Sequence, residues 1–214
     1  GKLVAGTNIS LTEGSDGGDE TLTAAFSGNL NASVINAGTI ATARLGSGTA
    51  SSSTFLRGDQ TYATPAGGTN TPAFEATRSS NQTISNDTVT KIACNVETFD
   101  IGSGYDNSSN YRFTPQTAGK YYVYANATAY LDVEQLKRFS LFIQKNGSNY
   151  KGSAKYFNGN PARIIATYMG AVIDFNGSSD YVELFTKIEY VSSSTILIPG
   201  SSTELTFGAY KIIT

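Results

Sequence analysis

Side chains that carry enzymatic chemistry are scarce in this chain. It contains no histidine, which excludes Ser-His-Asp and Cys-His nucleophile systems and histidine-bearing metal sites. A pair of carboxylates remains, which glycoside hydrolases use as acid and base. Asp174 and Asp180 flank a predicted turn and are the nearest such pair. Because we interpret them as solvated turn acids, we predict that the protein is not an enzyme.

Two further acids bracket a short loop and could hold a cation. Asp100 and Asp106 enclose a Gly-Ser-Gly segment at residues 102–104. Ca²⁺ takes carboxylate and carbonyl oxygens, and such a loop offers both. We expect no catalytic metal and no organic cofactor, with a structural Ca²⁺ as the open alternative.

Two loops mix aromatic rings with amide and hydroxyl groups, which suits sugar recognition. Loops at the end of a scaffold are free to vary and often carry binding residues. The predicted receptor-binding residues are Tyr105, Asp106 and Asn107 in residues 101–109, and Tyr156, Phe157 and Asn158 in residues 156–162. The alternative is that these rings only anchor their own loops.

The tripeptide Arg57-Gly58-Asp59 matches a motif of integrin-adhesion ligands. A tripeptide arises easily by chance, and Gly58 supplies a turn at this point of the chain. We interpret the motif as a turn.

Charge is sparse and nearly balanced. The 214 residues include 15 Lys and Arg against 17 Asp and Glu, for a formal net charge of −2. That balance gives no electrostatic footprint for nucleic acid and no basic segment for an anionic membrane. The single cysteine, Cys94, excludes an internal disulfide and is predicted to be a small buried apolar residue. The chain opens on Gly1 rather than Met, so we expect a fragment or a processed product.

The chain divides into two regions near residue 70. Residues 1–70 are rich in Gly, Ala, Ser and Thr, and no segment there could close a core alone. Composition leaves two alternatives: a disordered linker, or a fibrous stalk in which three copies bury sparse apolar residues against each other. Residues 71–214 show the alternation and turn spacing of a compact β domain.

Strand faces within the second region are of two kinds. Residues 139–145 and 180–189 place apolar side chains mainly on one face, as in a strand with one dry and one wet side. Residues 120–131, 163–175 and 203–213 carry apolar or aromatic side chains on both faces. With no helix in view, another subunit is the simplest cover for the second face. We therefore predict a sandwich with one doubly covered sheet in an obligate oligomer.

Asn-Gly dipeptides predict two hairpins. Asn146-Gly147 and Asn176-Gly177 each lie between alternating segments, and both residues of the dipeptide accept the positive φ of a type I′ turn. We also predict one continuous strand over residues 88–99.

Six phrases of the second region occur in a familiar order. They are Ala73-Phe74-Glu75-Ala76, residues 110–115 (NYRFTP), 118–124 (AGKYYVY), 142–147 (FIQKNG) and 180–184 (DYVEL), and Phe207-Gly208-Ala209-Tyr210. The region resembles the jelly roll shared by the globular head of the first complement component and the tumour necrosis factor superfamily. This resemblance implies a tight homotrimer, with an interface at Tyr122, Tyr124, Phe207 and Tyr210.

The first region carries phrases typical of fibres, namely residues 4–12 (VAGTNISLT), 38–46 (GTIATARLG) and 48–62 (GTASSSTFLRGDQTY). It resembles the stalks of bacteriophage tail fibres, and departs from them where Tyr62 stands in place of a tryptophan-like aromatic. The resemblance implies an ordered trimeric stalk on a virion, outside the cell, joined to other tail proteins through its N-terminus.

These inferences predict an all-β protein with a fibre stalk over residues 1–70. A ten-stranded jelly-roll sandwich head over residues 71–214 would form the homotrimer. The implied function is attachment to a host cell through a surface glycan or protein. The alternative is a purely structural trimerisation or connector module of a virion appendage.

Overall fold

The computed structural model describes residues 4, 9–14, 21–26, 40–65, 67–132, 136–157, 159–191 and 196–212. The chain forms two compact units, Gly1–Ala66 and Gly67–Thr214. Among the described residues there is no α-helix, and none of their helical turns is long and apolar enough to cross a membrane.

The first unit consists of two small antiparallel pairs. Strand β1 (Ile9–Gly14) pairs with β2 (Thr21–Phe26), and β3 (Phe55–Leu56) pairs with β4 (Tyr62–Ala63). A 3-10 turn spans Thr42–Arg44. Among the side chains that the structure describes in this unit, none is buried. The described residues of this unit therefore form no core within a single copy, which fits both a linker and a stalk.

The second unit is a sandwich of two antiparallel sheets. In chain order its strands are β5 (Ala73–Thr77), β6 (Gln82–Thr83), β7 (Thr90–Lys91), β8 (Val96–Ile101), β9 (Tyr105–Asp106), β10 (Arg112–Phe113), β11 (Gly119–Leu131), β12 (Leu136–Lys145), β13 (Ser148–Tyr156), β14 (Ile164–Phe175), β15 (Val182–Tyr190), β16 (Ile196–Ile198) and β17 (Leu205–Lys211). The all-β sandwich prediction is confirmed. Four of these described strands have only two residues, too short for an alternation pattern to reveal, so the structure has more strands than the ten predicted.

One sheet, which we call the tyrosine sheet, has the long strand β11 near its centre. Strand β14 pairs with one edge of β11, and β17 and β16 pair with the other. The sheet continues from β17 through β5 to β8, while β6 joins β16. The three segments predicted to share a sheet, 120–131, 163–175 and 203–213, are thus neighbours in it.

The other sheet, which we call the charged sheet, runs in the order β13, β12, β15, β10, β9, with β7 also paired to β15. Its buried face carries Phe139, Leu141 and Ile143 on β12, as the alternation predicts. On β15 the buried side chains include Val182, Leu184 and Ile188.

Aromatic rings fill the space between the sheets. Phe74 of the tyrosine sheet stacks on Phe113 of the charged sheet, with ring centroids 4.6 Å apart. Phe207 meets Phe74 edge-on at 5.1 Å, and Tyr121 meets Phe175 at 5.1 Å. Offset and edge-to-face pairs of this kind stabilise a core beyond the area they bury.

The two Asn-Gly dipeptides have different outcomes. Asn146 and Gly147 have φ of 51° and 77° and connect β12 to β13 in a tight hairpin, as predicted. The second prediction is wrong, because β14 and β15 belong to different sheets. There the Asn176 side-chain oxygen accepts N–H bonds from Ser178, Ser179 and Asp180, so a side-chain-capped loop replaces the hairpin.

The predicted strand over residues 88–99 is also wrong. The chain pairs with the charged sheet at Thr90–Lys91 and with the tyrosine sheet from Val96 onward. Between them it crosses the sandwich with Ile92 and Cys94 fully buried. An alternating apolar pattern is equally compatible with a strand and with such a buried crossing.

Candidate functional site

The side of the tyrosine sheet that faces away from the core is rich in exposed rings. We call it the tyrosine face, defined by Tyr122 and Tyr124 on β11, Tyr168 on β14 and Tyr210 on β17. The exposed fractions of Tyr168, Tyr210 and Tyr122 are 83%, 40% and 37%. Phe99 and Ile101 on β8 and Val172 on β14 extend the exposed apolar surface. A contiguous exposed surface of this composition is typical of a protein interface.

Strand alternation creates this face. On β11 the intervening residues Tyr121, Val123 and Ala125 are buried in the core. Because successive side chains of a strand point to opposite faces, Tyr122 and Tyr124 must point away from the core. The strand register then aligns Tyr122 with Tyr210 on one side and Val172 on the other.

Two glycines make room for the rings. The register places Gly208 of β17 and Gly170 of β14 on either side of Tyr124. A Cβ atom at Gly208 would collide with the ring of Tyr124, and one at Gly170 would collide with the Tyr122 ring. The two rings therefore lie across the backbones of neighbouring strands, with centroids 6.1 Å apart and planes 21° from parallel.

A carboxylate lies within the tyrosine face. The Tyr124 hydroxyl donates a hydrogen bond of 2.9 Å to Oε2 of Glu75 on β5. Burial is the main cause that raises the pKa of Tyr124 above its ordinary value, and the hydrogen bond to Glu75 and the charge of Glu75 raise it further. Sequence reasoning missed Glu75, although the alternation in Ala73-Phe74-Glu75-Ala76 places it opposite the buried Phe74.

The four residues predicted for the trimer interface do not share one environment. Tyr122, Tyr124 and Tyr210 lie together on the tyrosine face, with Tyr122 and Tyr210 centroids 5.7 Å apart. Phe207 is fully buried in the core of its own chain, so that part of the prediction is corrected. The reason is strand parity, since Phe207 alternates with Thr206 and Gly208 and faces the same way as Leu205 and Ala209.

The loop at residues 101–109 is held by its own side chains. Tyr105 is 7% exposed, its ring stacks on Phe74 at 4.4 Å, and its hydroxyl donates to the Cys94 carbonyl at 2.9 Å. Burial raises the pKa of Tyr105. This burial argues against the predicted receptor-binding role of Tyr105 and fits the alternative, in which the ring anchors its own loop, while Asn107 stays partly exposed.

The two acids of that loop cap backbone N–H groups. Asp106 accepts bonds from the N–H groups of Ser108, Ser109 and Asn110 at 2.9–3.0 Å, and these bonds hold its pKa below the usual range. Asp100 accepts from the N–H of Gly104 and of Tyr105 at 3.1 and 3.0 Å. In the described part of the chain no three acidic, cysteine or histidine side chains gather into a cation site. The structural Ca²⁺ alternative therefore gains no ligand set there.

Tyr156 remains an accessible candidate for ligand binding. Its side chain is 59% exposed, and the Arg138 guanidinium lies 5.0 Å from the ring centroid. Arg138 also donates to Glu189 at 2.9 Å. Phe157 is partly buried against the core, and Asn158 lies outside the described residues. A flat ring with a guanidinium and a carboxylate nearby can stack on a sugar and bond its hydroxyls.

The acids that flank the β14–β15 loop take part in ion pairs. Asp174 accepts from Lys120 at 2.7 Å. Asp180 lies 2.9 Å from Lys145, and bonds first from Asn146 and then from Lys145 lower its pKa. Their oxygens serve local structure, and the absence of enzymatic activity stays a prediction.

The Arg57-Gly58-Asp59 tripeptide forms the turn between β3 and β4. The Arg57 N–H donates to the Thr61 carbonyl at 2.8 Å, and the Asp59 carboxylate accepts from the Thr61 hydroxyl at 2.6 Å. That hydroxyl bond is the main cause that lowers the pKa of Asp59.

Among the comparisons with known proteins, only solved structures match the chain. No protein-family model and no curated protein sequence matches the chain. Among solved structures, the globular domain of zebrafish complement 1qA protein is 15% identical and covers 66% of this chain and 97% of its own, with a TM-score of 0.49. Murine APRIL is 12% identical and covers 65% and 98%, also at 0.49. The Eiger TNF of S. frugiperda is 10% identical and covers 66% and 92%, again at 0.49.

Proposed function

We propose that the protein attaches a virus particle to its host cell through three heads joined at the tyrosine face. The observation that carries the proposal is the exposed row Val172, Tyr122, Tyr210, aligned by strand register, with Tyr168 and Tyr124 beside it. Such a surface is costly to leave in water, and another copy of the chain covers it most simply.

Tyrosine suits this assembly for two reasons. Each ring brings a large apolar area, and pairs of rings add about 0.5–1.5 kcal/mol beyond area burial. Each hydroxyl needs a partner when buried, which sets the geometry in which copies can meet. The trimeric number follows from the family resemblance in the sequence, and it is part of the proposal.

The attachment surface is proposed to include Tyr156 and Arg138, with Asp106 and Asn107 as further candidates. Tyr156 presents most of its ring to solvent, and Arg138 and Glu189 offer charged hydrogen-bonding groups beside it. A single site of this kind would bind a glycan weakly. Three equivalent sites on one trimer gain strength by acting together.

The first unit is proposed to be the stalk of the particle's tail fibre, joined through its N-terminus to other tail proteins. Support comes from the fibre-like phrases of residues 4–62 and from the exposure of Ile9, Leu22 and Phe55 in a single copy. Three copies in register would bury such residues. The protein would then function outside the cell, as part of the virion.

The second candidate function is a structural connector with no receptor of its own. It shares the trimeric assembly and differs in making no use of Tyr156. The buried anchoring role of Tyr105 favours this alternative for the loop at residues 101–109, because that ring is unavailable to a ligand.

Two measurements on the full chain test the proposal. Sedimentation velocity should give a trimer, and a monomer at micromolar concentration would contradict the proposed function. Adsorption to host cells should fall several-fold for Tyr156→Ala, and remain unchanged for Val89→Ala, an exposed apolar residue of the second unit that belongs to neither proposed surface. A trimer that adsorbs to no cell would leave the connector function in place.

A further inference from the structure

The tyrosine face contains a carboxylate that has no cation beside it. Glu75 accepts the Tyr124 hydroxyl, and no Lys or Arg of the described residues lies within ion-pair distance of it. The other acid on this side of the sheet, Asp174, already pairs with Lys120 at one end of the face. Among the described residues, Glu75 is therefore an unpaired charge that any covering surface must satisfy.

Covering the tyrosine face with a second copy would remove water from Glu75. A buried carboxylate is strongly unfavourable unless a cation or several hydrogen bonds replace its hydration. One tyrosine hydroxyl supplies one such bond. A positive charge from the covering copy is the simplest group that completes this replacement.

Strand β13 offers two suitable cations. Lys151 and Lys155 are exposed, and neither forms an ion pair with any residue that the structure describes. They occupy one edge strand, four residues apart, which corresponds to roughly 13 Å along an extended chain. Ser153 between them bonds the Thr167 hydroxyl of β14 at 3.0 Å, so both lysines lie at the side of the sandwich where β13 meets β14.

These lysines cannot reach Glu75 of their own chain. In the tyrosine sheet β14 is one edge strand, and β5 lies three strand spacings away, roughly 14 Å across the sheet. Glu75 and these two lysines thus lie towards opposite sides of one domain. Two different surfaces that complement each other make a head-to-tail contact, and such contacts close into rings when the rotation allows.

We propose that Lys151 and Lys155 on β13 of one copy pair with Glu75 in the tyrosine face of the next copy. The tyrosine rings supply the apolar area of this contact, and the ion pair selects its direction and register. The assembly is then a head-to-tail ring rather than a two-fold pair of identical faces. This inference rests on the proposed function, because it names the partner surface of the tyrosine face.

Charge reversal in the full chain tests the pairing. Lys151→Glu with Lys155→Glu, and separately Glu75→Lys, should each weaken association about tenfold or more in sedimentation equilibrium, because like charges then meet. Combining all three substitutions in one chain should restore association to near that of the unmodified protein. Thermal unfolding followed by circular dichroism checks that each variant is folded.

Glu97→Lys is the matched control. This substitution makes the same change of charge on β8. Glu97 pairs with Ala76, whose side chain faces the core, so Glu97 lies off the tyrosine face. We expect Glu97→Lys to leave association unchanged.

Four outcomes would overturn the inference. The first is an assembly that survives both reversals. The second is a triple variant that stays dissociated although folded. The third is a pair of lysine reversals that abolishes cell adsorption while leaving the assembly intact, which would assign the lysines to an acidic ligand. Lysines on edge strands also prevent edge-to-edge aggregation, and glutamates at the same positions would keep that effect. If the lysines served only against aggregation, the assembly would survive both reversals, which is the first outcome. The fourth is an unmodified chain that is monomeric, which would remove the proposed function as well.

Discussion

Tyr124 and Glu75 are joined across an intervening strand. The Tyr124 hydroxyl on β11 donates a 2.9 Å hydrogen bond to the Glu75 carboxylate on β5, and β17 lies between them. The ring crosses β17 at Gly208, where no side chain stands in its way. One missing Cβ atom therefore decides where a polar group lies on an otherwise apolar face.

Gly208→Ala should break this arrangement. The new methyl group would lie about where the ring now is, with Cε2 of Tyr124 only 2.9 Å away, so the ring must turn and lose Glu75. We expect a loss of about 1–3 kcal/mol in the free energy of unfolding, measured by urea denaturation. Gly159→Ala is the control, because nothing lies within 4 Å of its added methyl. Equal stability of the two variants would contradict the packing described here.

Glu183→Gln should destabilise the charged sheet. Glu183 is buried, and one of its oxygens accepts from Lys91 at 2.6 Å and from Arg112 at 2.8 Å. The neutral amide would leave two neighbouring cations without their shared anion. Breaking a fully buried pair costs about 3–5 kcal/mol, and the partial exposure of both cations reduces this to about 2 kcal/mol.

The comparison for that variant is Lys120→Gln, which removes the exposed pair with Asp174. We expect a change of about 0.5 kcal/mol or less in the same urea titration, because exposed ion pairs contribute little. If Lys120→Gln proved as damaging as Glu183→Gln, burial would not be the property that matters.

Stability should fall in alkaline solution. Burial raises the pKa of Tyr121 from 10.0 to about 12, so the folded chain holds its proton more tightly than the unfolded chain. The resulting stabilisation is fully present below pH 10 and is lost as the pH rises from 10 to about 12. Unfolding in urea at several pH values should show this decline, and Tyr121→Phe should lessen it. A decline of the same size in Tyr121→Phe would assign the effect to other groups.

Cys94 should report unfolding through its reactivity. The thiol is fully buried, and burial raises its pKa to about 12, so almost no thiolate exists near neutral pH. We expect iodoacetamide to label Cys94 slowly in the native protein and rapidly in denaturing urea, as measured by mass spectrometry. Rapid labelling without denaturant would show that the crossing between β7 and β8 opens readily.

Local alternation was a sound guide to strand faces. The buried rows Phe139, Leu141, Ile143 and Val182, Leu184, Ile188 were predictable because the side-chain period of a strand is two. The Asn146-Gly147 hairpin was predictable because both residues accept positive φ. The same reasoning failed for Asn176-Gly177, since the dipeptide itself does not record whether its flanking strands share a sheet.

Partners remote in the sequence could not be predicted. Glu183 bonds Arg112 and Lys91, which are 71 and 92 residues away. Tyr105 was predicted to bind a receptor, yet it stacks on Phe74 in the core. In each case the deciding contact exists only after the chain has crossed between the sheets.

Residue order alone was enough to predict that the second unit is a β sandwich and that β11, β14 and β17 carry rings on both faces. This was possible because apolar alternation is a local property that can be seen in neighbouring residues. The folded arrangement of the strands was needed to show that Phe207 belongs to the core, that Tyr124 reaches Glu75, and that Glu75 and the β13 lysines lie apart. Those relations depend on which strands pair and in what register, and register is set by the whole fold.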